Sequence, residues 1–156
     1  MTRESPTRGW HEQASRLRPR TQAFIDGRYL DAASGETFDC ISPADGRSLG
    51  QVASCAAPDV DLAVASARRA LELGTWSRTA PVARKKVLKR FAELVLAHRD
   101  ELALTETLDM GKPISDSLAV DIPAAARCIE WYAEAVDKVY DEVAPTGPAA
   151  LSTSTR

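Results

Sequence analysis

The sequence is poor in the residues that build metal sites and covalent cross-links. It holds two histidines, His11 and His98, and three cysteines, Cys40, Cys55 and Cys128, which form no C-x-x-C pair. A structural zinc site needs four Cys or His ligands at short spacings, so the sequence gives it poor support. An odd number of widely spaced cysteines favours free thiols in a reducing cytoplasm over a disulfide framework.

Three further absences narrow the partners that we expect. No apolar run approaches the roughly 20 residues of a membrane-spanning helix, and no apolar stretch of a secretory signal follows the arginine-rich first twenty residues. The eight glycines show no G-x-G-x-x-G spacing, so the chain has no dinucleotide fingerprint of its own. A net charge of −2 gives no reason to expect nucleic acid or an anionic membrane as a partner.

What the chain does contain is an ordinary globular composition, 44% hydrophobic and 27% charged, at a length sufficient for one domain. Residues 1–21 are polar and proline-punctuated, which predicts an arm with one helical turn across Trp10–Leu17. Short apolar runs at 23–25 and 28–30 flank Asp26-Gly27, a pair typical of a hairpin turn. Two more short strands are expected at 38–41 and 51–53, around a turn at 43–46.

From Pro58 onward the apolar period changes from two residues to 3.6, which predicts helices. They are expected from Pro58 to Gly74, from Pro81, from Asp100 through Leu108 with an end at Gly111 and Pro113, and from a start between Ser115 and Pro123. The predicted apolar stripes are Val87, Leu88, Phe91, Leu94 and Val95 on the second helix, and Ala125, Cys128, Ile129, Tyr132, Val136 and Val139 on the last. Strands followed by helices indicate an α+β or partial α/β unit. The tail from Ala144 is compatible with one edge strand (151–155) or with disorder, and its composition alone favours disorder.

Several side-chain groups have an ordinary structural interpretation beside a functional one. Lys85, Lys86, Lys89 and Arg90 lie opposite the second helix's apolar stripe, so we expect a solvated face rather than a nucleic-acid surface. Each cysteine is interpreted as structural, and Cys128 as a small buried hydrophobe.

A phosphate-binding loop at Gly111-Lys112 is excluded because Glu106 stands where the pattern needs glycine. Pro113 also occupies the Ser or Thr position of that pattern. Glu106 and Asp109 are expected to form caps or ion pairs rather than an acid/base pair.

Taken together, several stretches carry a resemblance in order and spacing. They are Phe24–Tyr29, Ile41–Gly46, Asp59–Asp61 with Ala63-Val64 and Ala67-Arg68, Glu101–Ala103, Glu106–Pro113 and Ile129–Ala133. This set, over about residues 22–142, resembles the opening of the NAD(P)-dependent aldehyde dehydrogenase superfamily. Trp10–Leu17, Asp121–Pro123 and Asp137–Tyr140 look closest to the branch that acts on γ-glutamyl-γ-aminobutyraldehyde and similar amine-derived aldehydes.

The resemblance implies an α/β parent fold of three αβα layers, of which this part is helix-rich α+β with short N-terminal strands. It divides the chain into an N-terminal arm (1–21), the N-terminal part of a cofactor-binding domain (22–142), and the truncated start of an oligomerisation flap (143–156). It also implies an aldehyde substrate, NAD or NADP in the parent enzyme, and a homo-oligomer.

The same resemblance assigns roles residue by residue. Cys40, Ile41 and Asp109 match positions that hold a monovalent cation, largely through backbone carbonyls, although the family often has Thr where Cys40 stands. Val120 and Ala124 match the helix that lines the substrate tunnel. The family's nucleophilic Cys, general-base Glu, oxyanion-hole Asn and cofactor loop would follow Arg156. We therefore expect no catalytic residue and no bound cofactor in this chain alone.

Three hypotheses follow: a truncated aldehyde dehydrogenase, a non-catalytic module that binds a longer dehydrogenase subunit, or one half of a split enzyme. A buried Val, Leu, Ile or Phe contributes roughly 1.5–3 kcal/mol, against a net domain stability of about 5–15 kcal/mol. Without the sheet that the parent fold places behind the helices, we expect a helical, loosely packed and self-associating chain that binds dye.

We expect the purified chain, mixed with an aldehyde and either NAD or NADP, to produce no reduced nicotinamide above background. The reason is that the family's reactive thiol is not among its cysteines. Absorbance of the reduced cofactor measures this, with a complete aldehyde dehydrogenase as the positive control. Turnover by a preparation shown by mass spectrometry to be free of longer dehydrogenases would contradict the expectation.

Overall fold

A computed structural model describes residues 6–139, 142–144 and 152–154. Within these residues the chain is rich in helix, with short antiparallel strands, as predicted. The helices are α1 (Pro6–Arg16), α2 (Ala57–Leu73), α3 (Pro81–Ala97), α4 (Arg99–Met110), α5 (Ile114–Asp116) and α6 (Ile122–Ala135). Ser117–Asp121 form a π-helical segment between α5 and α6. The strands are β1 (Ala23–Ile25), β2 (Arg28–Leu30), β3 (Thr37–Ile41), β4 (Ser48–Ala53), β5 (Glu142–Ala144) and β6 (Ser152–Ser154).

The N-terminal arm is more regular than its composition predicts. In place of one helical turn across Trp10–Leu17, the helix α1 covers eleven residues. An ion pair between Glu12 and Arg16, four residues apart on one exposed helix face, supports it. The prediction treated the prolines as helix breakers and therefore made the helix too short. Pro6 is the first residue of α1, where its missing N–H costs no hydrogen bond.

The two predicted hairpins are confirmed. Asp26 and Gly27 have φ angles of 54° and 74°, the left-handed pair that a tight two-residue turn requires, and Phe24 lies opposite Tyr29 in the register. β3 pairs with β4 in the same antiparallel way. The tip of the first hairpin is tied to α2, because the Ser66 hydroxyl donates to Asp26 (3.2 Å) and the Arg69 guanidinium lies 3.4 Å from the same carboxylate.

Asp59 fixes the start of α2. The residue before the helix, Ala56, has no side-chain oxygen with which to cap it, so the carboxylate of Asp59 reaches back instead. One oxygen accepts the Ala56 N–H at 2.9 Å and the other accepts the Ala33 N–H at 2.8 Å. These two backbone donors hold the pKa of this buried carboxyl below its ordinary value. Asp59 therefore joins the helix to the loop after β2.

The core lies where α3 crosses α6, and it is built from small residues. Ala92 on α3 and Ala126 and Ala133 on α6 are all at most 5% exposed. Ile122 and Leu104 complete the buried apolar set around them. Because an alanine side chain is one methyl group, the two helix backbones come close along this line.

An ion-pair cluster reinforces the same helix pair. Lys85 and Lys89 of α3 each lie 2.6 Å from a carboxylate oxygen of Glu134 on α6, and Lys85 also pairs with Asp137 at 3.3 Å. Hydrogen bonds from Lys85 and Lys89 lower the pKa of Glu134 to about 2. The prediction that these lysines form a solvated face is wrong for this pair. Their partners stand on another helix, which periodicity within α3 cannot reveal.

The predicted apolar stripes are only partly covered: Leu88, Val95, Ile129 and Val136 are half-buried, and other members are exposed. Val87 and Phe91 on α3 and Tyr132 on α6 are more than half exposed. Cys128, predicted to be buried, is exposed as well. The alanine faces of α3 and α6 pack against each other because small side chains allow the two helices to come closer. The larger side chains of Val87, Phe91 and Tyr132 remain exposed.

In the tail, β5 and β6 form an antiparallel pair with Val143 opposite Thr153. The edge-strand alternative is thus confirmed for Ser152–Ser154, while the rest of the predicted 151–155 strand lies outside the described residues. Among the described helices, none combines the length and the hydropathy that crossing a membrane requires.

Replacing Asp59 by Ala should lower the midpoint of thermal unfolding by about 2–4 °C, because two backbone donors lose their acceptor. Asp59→Asn should lower it less, since one oxygen remains. The folded pKa lies below the ordinary value of 3.8, so this contribution is complete above that pH and is lost as the pH falls through the folded pKa.

Circular dichroism melts between pH 2 and pH 7 would measure this pH dependence, which follows from the lowered Asp59 pKa. The matched control is Asp61→Asn, the same change at an exposed position of α2. Equal midpoints for Asp59→Ala and the wild type at neutral pH would contradict the assignment.

Candidate functional site

The structure brings two of the three predicted cation-site residues into contact. The Cys40 thiol, near the end of β3, donates to an oxygen of Asp109 on α4 at 3.2 Å. The approach is made possible at Gly111, which ends α4 with a φ of 73°. A Cβ at Gly111 would lie only 2.9 Å from Cγ of Pro43, so glycine lets the turn after β3 approach the end of α4.

The irregular pairing of β3 and β4 at Cys40 and Ile41 is compatible with cation binding by backbone carbonyls. The register of β3 and β4 shifts between Cys40 and Ile41, where Cys40 faces Gly50 and Ile41 faces Ser48. Such a bulge interrupts the ladder and changes the direction of the local backbone groups. Carbonyl and carboxylate oxygens are the hard ligands that a monovalent cation prefers. The chemistry of Cys40, Ile41 and Asp109 therefore fits part of a cation shell.

The Cys40–Asp109 contact borders a cavity of about 400 Å³ between the α1–β1 connection, the β3–β4 hairpin and α4. Its lining combines apolar side chains such as Leu17 and Leu108 with the polar Cys40 and Asp109. In the part of the chain that the structure describes, no three His, Cys, Asp or Glu residues converge as a metal-binding group. The Asp109 carboxylate can thus supply one ligand, and the others would be backbone carbonyls such as those of Cys40 and Ile41.

Cys40 is poorly suited to act as a nucleophile. Its hydrogen bond to Asp109, together with the negative charge of that carboxylate, raises the pKa of the thiol. A higher pKa means less thiolate at neutral pH, and the thiolate is the reactive form. The contact supports the interpretation of this cysteine as structural.

The two predicted tunnel residues lie elsewhere, on the helical run that follows α4. Val120 belongs to the π segment and is 56% exposed, and Ala124 on α6 is half-buried. Neither lines the cavity beside Cys40. They are four residues apart across the junction of the π segment and α6.

The π segment is held by contacts that the sequence did not predict. Lys112 forms an ion pair with Asp121, and its ammonium also lies 3.8 Å from Glu106 on α4. The hydrogen bond to Asp121 raises the pKa of Lys112. At the other end of the segment, the Thr107 hydroxyl lies 3.3 Å from that of Ser117, which is fully buried.

These contacts were missed because they connect residues nine and ten positions apart across a turn, a spacing that matches neither helix nor strand periodicity. Lys112 was considered only as part of a phosphate loop. The expected ion pair is confirmed for Glu106, which lies near Lys112, whereas Asp109 accepts a hydrogen bond from Cys40. The only indication in the sequence was the Gly111-Lys112-Pro113 turn followed closely by Ser117.

A scan against family models matches residues 29–156 to the aldehyde dehydrogenase family. Among curated relatives, the NADP/NAD-dependent aldehyde dehydrogenase PuuC of Escherichia coli is 48% identical over 143 residues. The aminoacetaldehyde dehydrogenase of Pseudomonas aeruginosa is 50% identical over 131 residues. These alignments cover 92% and 84% of this chain but only 29% and 26% of the relatives.

Solved structures give the same result for the fold. An indole-3-acetaldehyde dehydrogenase from P. syringae, solved in complex with NAD+ and IAA, superposes with a TM-score of 0.89 at 58% identity. The γ-glutamyl-γ-aminobutyraldehyde dehydrogenase from Burkholderia cenocepacia gives 0.87 at 55% identity. The matches span 91% and 89% of this chain and 29% and 28% of those chains. The parent fold predicted from the sequence is confirmed.

Alkylation should distinguish the three thiols. We expect Cys40 to react with iodoacetamide several-fold more slowly than the exposed Cys55 at mildly alkaline pH, because its raised pKa leaves less thiolate. Asp109→Asn should accelerate Cys40 and leave Cys55 unchanged. Peptide mass spectrometry over a time course measures both rates, and a Cys40 rate that Asp109→Asn does not increase would contradict the assigned hydrogen bond.

Proposed function

Because the chain belongs to the aldehyde dehydrogenase family, we propose that it forms the N-terminal section of an enzyme that oxidises an aldehyde to a carboxylic acid with NAD or NADP. The observation that carries the proposal is the family match over residues 29–156, together with a TM-score of 0.89 to a structure solved with NAD+. The chain spans slightly more than a quarter of the length of the curated relatives.

We propose an amine-derived aldehyde as the substrate. Two relatives at 50% and 55% identity are named for aminoacetaldehyde and for γ-glutamyl-γ-aminobutyraldehyde. The indole-3-acetaldehyde dehydrogenase at 58% identity represents the competing class of aromatic aldehydes. Direct comparison of the two classes is therefore the decisive substrate experiment.

In this proposal the chemistry belongs to residues outside this section. Cys40 is held as a thiol by Asp109, and Cys55 and Cys128 occupy exposed positions that do not match the family's catalytic position. The glycine spacing of a dinucleotide loop does not occur in the sequence. Hence the residues of this chain do not fit the nicotinamide cofactor, and we assign them no step of hydride transfer.

This section would supply positioning and shape. Val120 and Ala124 would line the path of the substrate, and their apolar side chains would favour the hydrocarbon part of an aldehyde. Cys40 and Ile41, through their carbonyls, and Asp109 would hold a monovalent cation that ties the β3–β4 hairpin to α4. The cation would then have a structural role, distant from the reacting atoms.

The remaining proposals concern assembly and location. Residues 143–156 would begin the flap through which subunits form a homo-oligomer, and β5 and β6 are consistent with an antiparallel element there. The free cysteines of the described part fit a reducing cytoplasm. The arm (1–21) and the cofactor-domain section (22–142) keep the boundaries proposed from the resemblance.

The experiment that tests the function measures aldehyde oxidation by the protein as its gene encodes it, and by this chain mixed with any separately encoded partner. We expect turnover of amine-derived aldehydes with NAD or NADP. Val120→Phe should raise KM for a bulky aldehyde about tenfold because it narrows the path, with a smaller effect on a two-carbon aldehyde.

The matched control is Lys86→Phe, which introduces a phenylalanine at an exposed position of α3 opposite its apolar stripe. Equal effects of the two substitutions would overturn the tunnel assignment. The absence of oxidation in every combination would overturn the enzymatic proposal and leave the non-catalytic module as the better hypothesis.

A further inference from the structure

We infer that Lys112 and Thr107 are positioning residues, which hold the π segment Ser117–Asp121 in register and thereby set the direction of Val120. The inference rests on the proposed function for its consequence in substrate choice. Its structural part, a π segment clamped at both ends to α4, follows from contacts within this chain.

The π register is directly visible in the backbone. The Ile122 N–H bonds to the carbonyl of Ser117, five residues earlier, where an α-helix would use the residue four earlier. The helical run that begins at Ile114 therefore contains one residue more per turn at this point than an α-helix would. Pro123, two residues after the segment, has no N–H to donate to the Ala119 carbonyl, so it favours an irregular turn here but does not fix which side chains hold it.

Two contacts with α4 and its following turn hold the segment at its ends. Ser117, at the start of the segment, is fully buried, and its hydroxyl meets that of Thr107. Asp121, at the other end, pairs with Lys112. Both ends are thus attached to the same neighbouring structure, and the number of residues between the attachments is fixed at the value that the wider π turn accommodates.

Glu106 makes Lys112 the centre of the clamp. Its carboxylate is 3.8 Å from the Lys112 ammonium and belongs to α4, so the ammonium stands between one carboxylate on α4 and one on the π segment. Removing the ammonium leaves Glu106 and Asp121 as two acidic groups without the cation between them. The loss should loosen the segment instead of only weakening one exposed ion pair.

The geometric consequence concerns the face that Val120 presents. Returning the segment to an α register would shift subsequent side chains by one residue, about 100° around the helix axis. Val120 lies within the segment, whereas Ala124 lies in α6, whose alanines are packed on α3. A loosened segment would therefore move Val120 relative to Ala124.

Hydrogen exchange at single-amide resolution tests the clamp in this chain. Lys112→Met should accelerate exchange of the Ile122 amide at least about fivefold relative to the Val136 amide, whose bond to Tyr132 reports on α6. Lys112→Arg, which keeps the charge, should remain within about twofold of wild type. Lys86→Met, at an exposed position on α3, is the matched control.

Steady-state kinetics on the aldehyde-oxidising protein test the consequence. Lys112→Met should raise KM about fivefold or more for a bulky aldehyde while changing kcat and the KM of a two-carbon aldehyde less than twofold. A purely structural role would lower the active fraction and so reduce kcat for every aldehyde alike. Lys112→Arg should restore the wild-type KM.

The outcomes separate the two proposals. An unchanged ratio of Ile122 to Val136 exchange in Lys112→Met, or a uniform loss of kcat across aldehydes, overturns the positioning role. If the protein oxidises no aldehyde, the proposed function fails on its own account, and the exchange ratio still decides whether Lys112 holds the π register.

Discussion

The close packing of α3 on α6 through alanine side chains is the constraint on which the rest of this chain depends. Ala92, Ala126 and Ala133 leave room for little more than a methyl group between the helices, so neither helix can rotate without a clash. The π segment is continuous with α6, and α4 packs beside that segment. The packing of α3 on α6 therefore determines where the π segment and α4 lie. Alanines bury little apolar area, and the Lys85–Glu134 contact adds specificity at one end of the interface.

Several boundaries of the elements could be predicted from the sequence because local chemistry determines them. Gly74 and Gly111 end helices in the left-handed conformation, Pro81 begins one, and Asp26-Gly27 makes the turn, all as expected. Which helix face is buried could not be predicted in the same way. Because of their larger apolar side chains, Val87 and Phe91 were expected to be buried in preference to Ala92. The close packing of the two helix backbones buries Ala92 instead.

The candidate site was likewise predicted only in part. The resemblance placed Cys40 and Asp109 together, and the structure has them in hydrogen-bonding contact although they are 69 residues apart. No periodicity could have predicted that pairing, since it depends on how the hairpin approaches α4 at Gly111. The attachments of Lys112 and Ser117 were missed because a π turn has no characteristic spacing in sequence. The bond from the Ala33 amide to Asp59 was also not predicted.

The uncovered apolar side chains of α2, α3 and α6 have a consequence for biosynthesis. In a longer chain of the proposed kind these helices leave the ribosome first, and the remaining residues need on the order of tens of seconds to follow at typical translation rates. During that interval Leu71, Phe91 and Trp131, all more than half exposed, are available to chaperones or to neighbouring nascent chains. The order of synthesis, as well as the final fold, therefore limits how much exposed apolar surface this section can have.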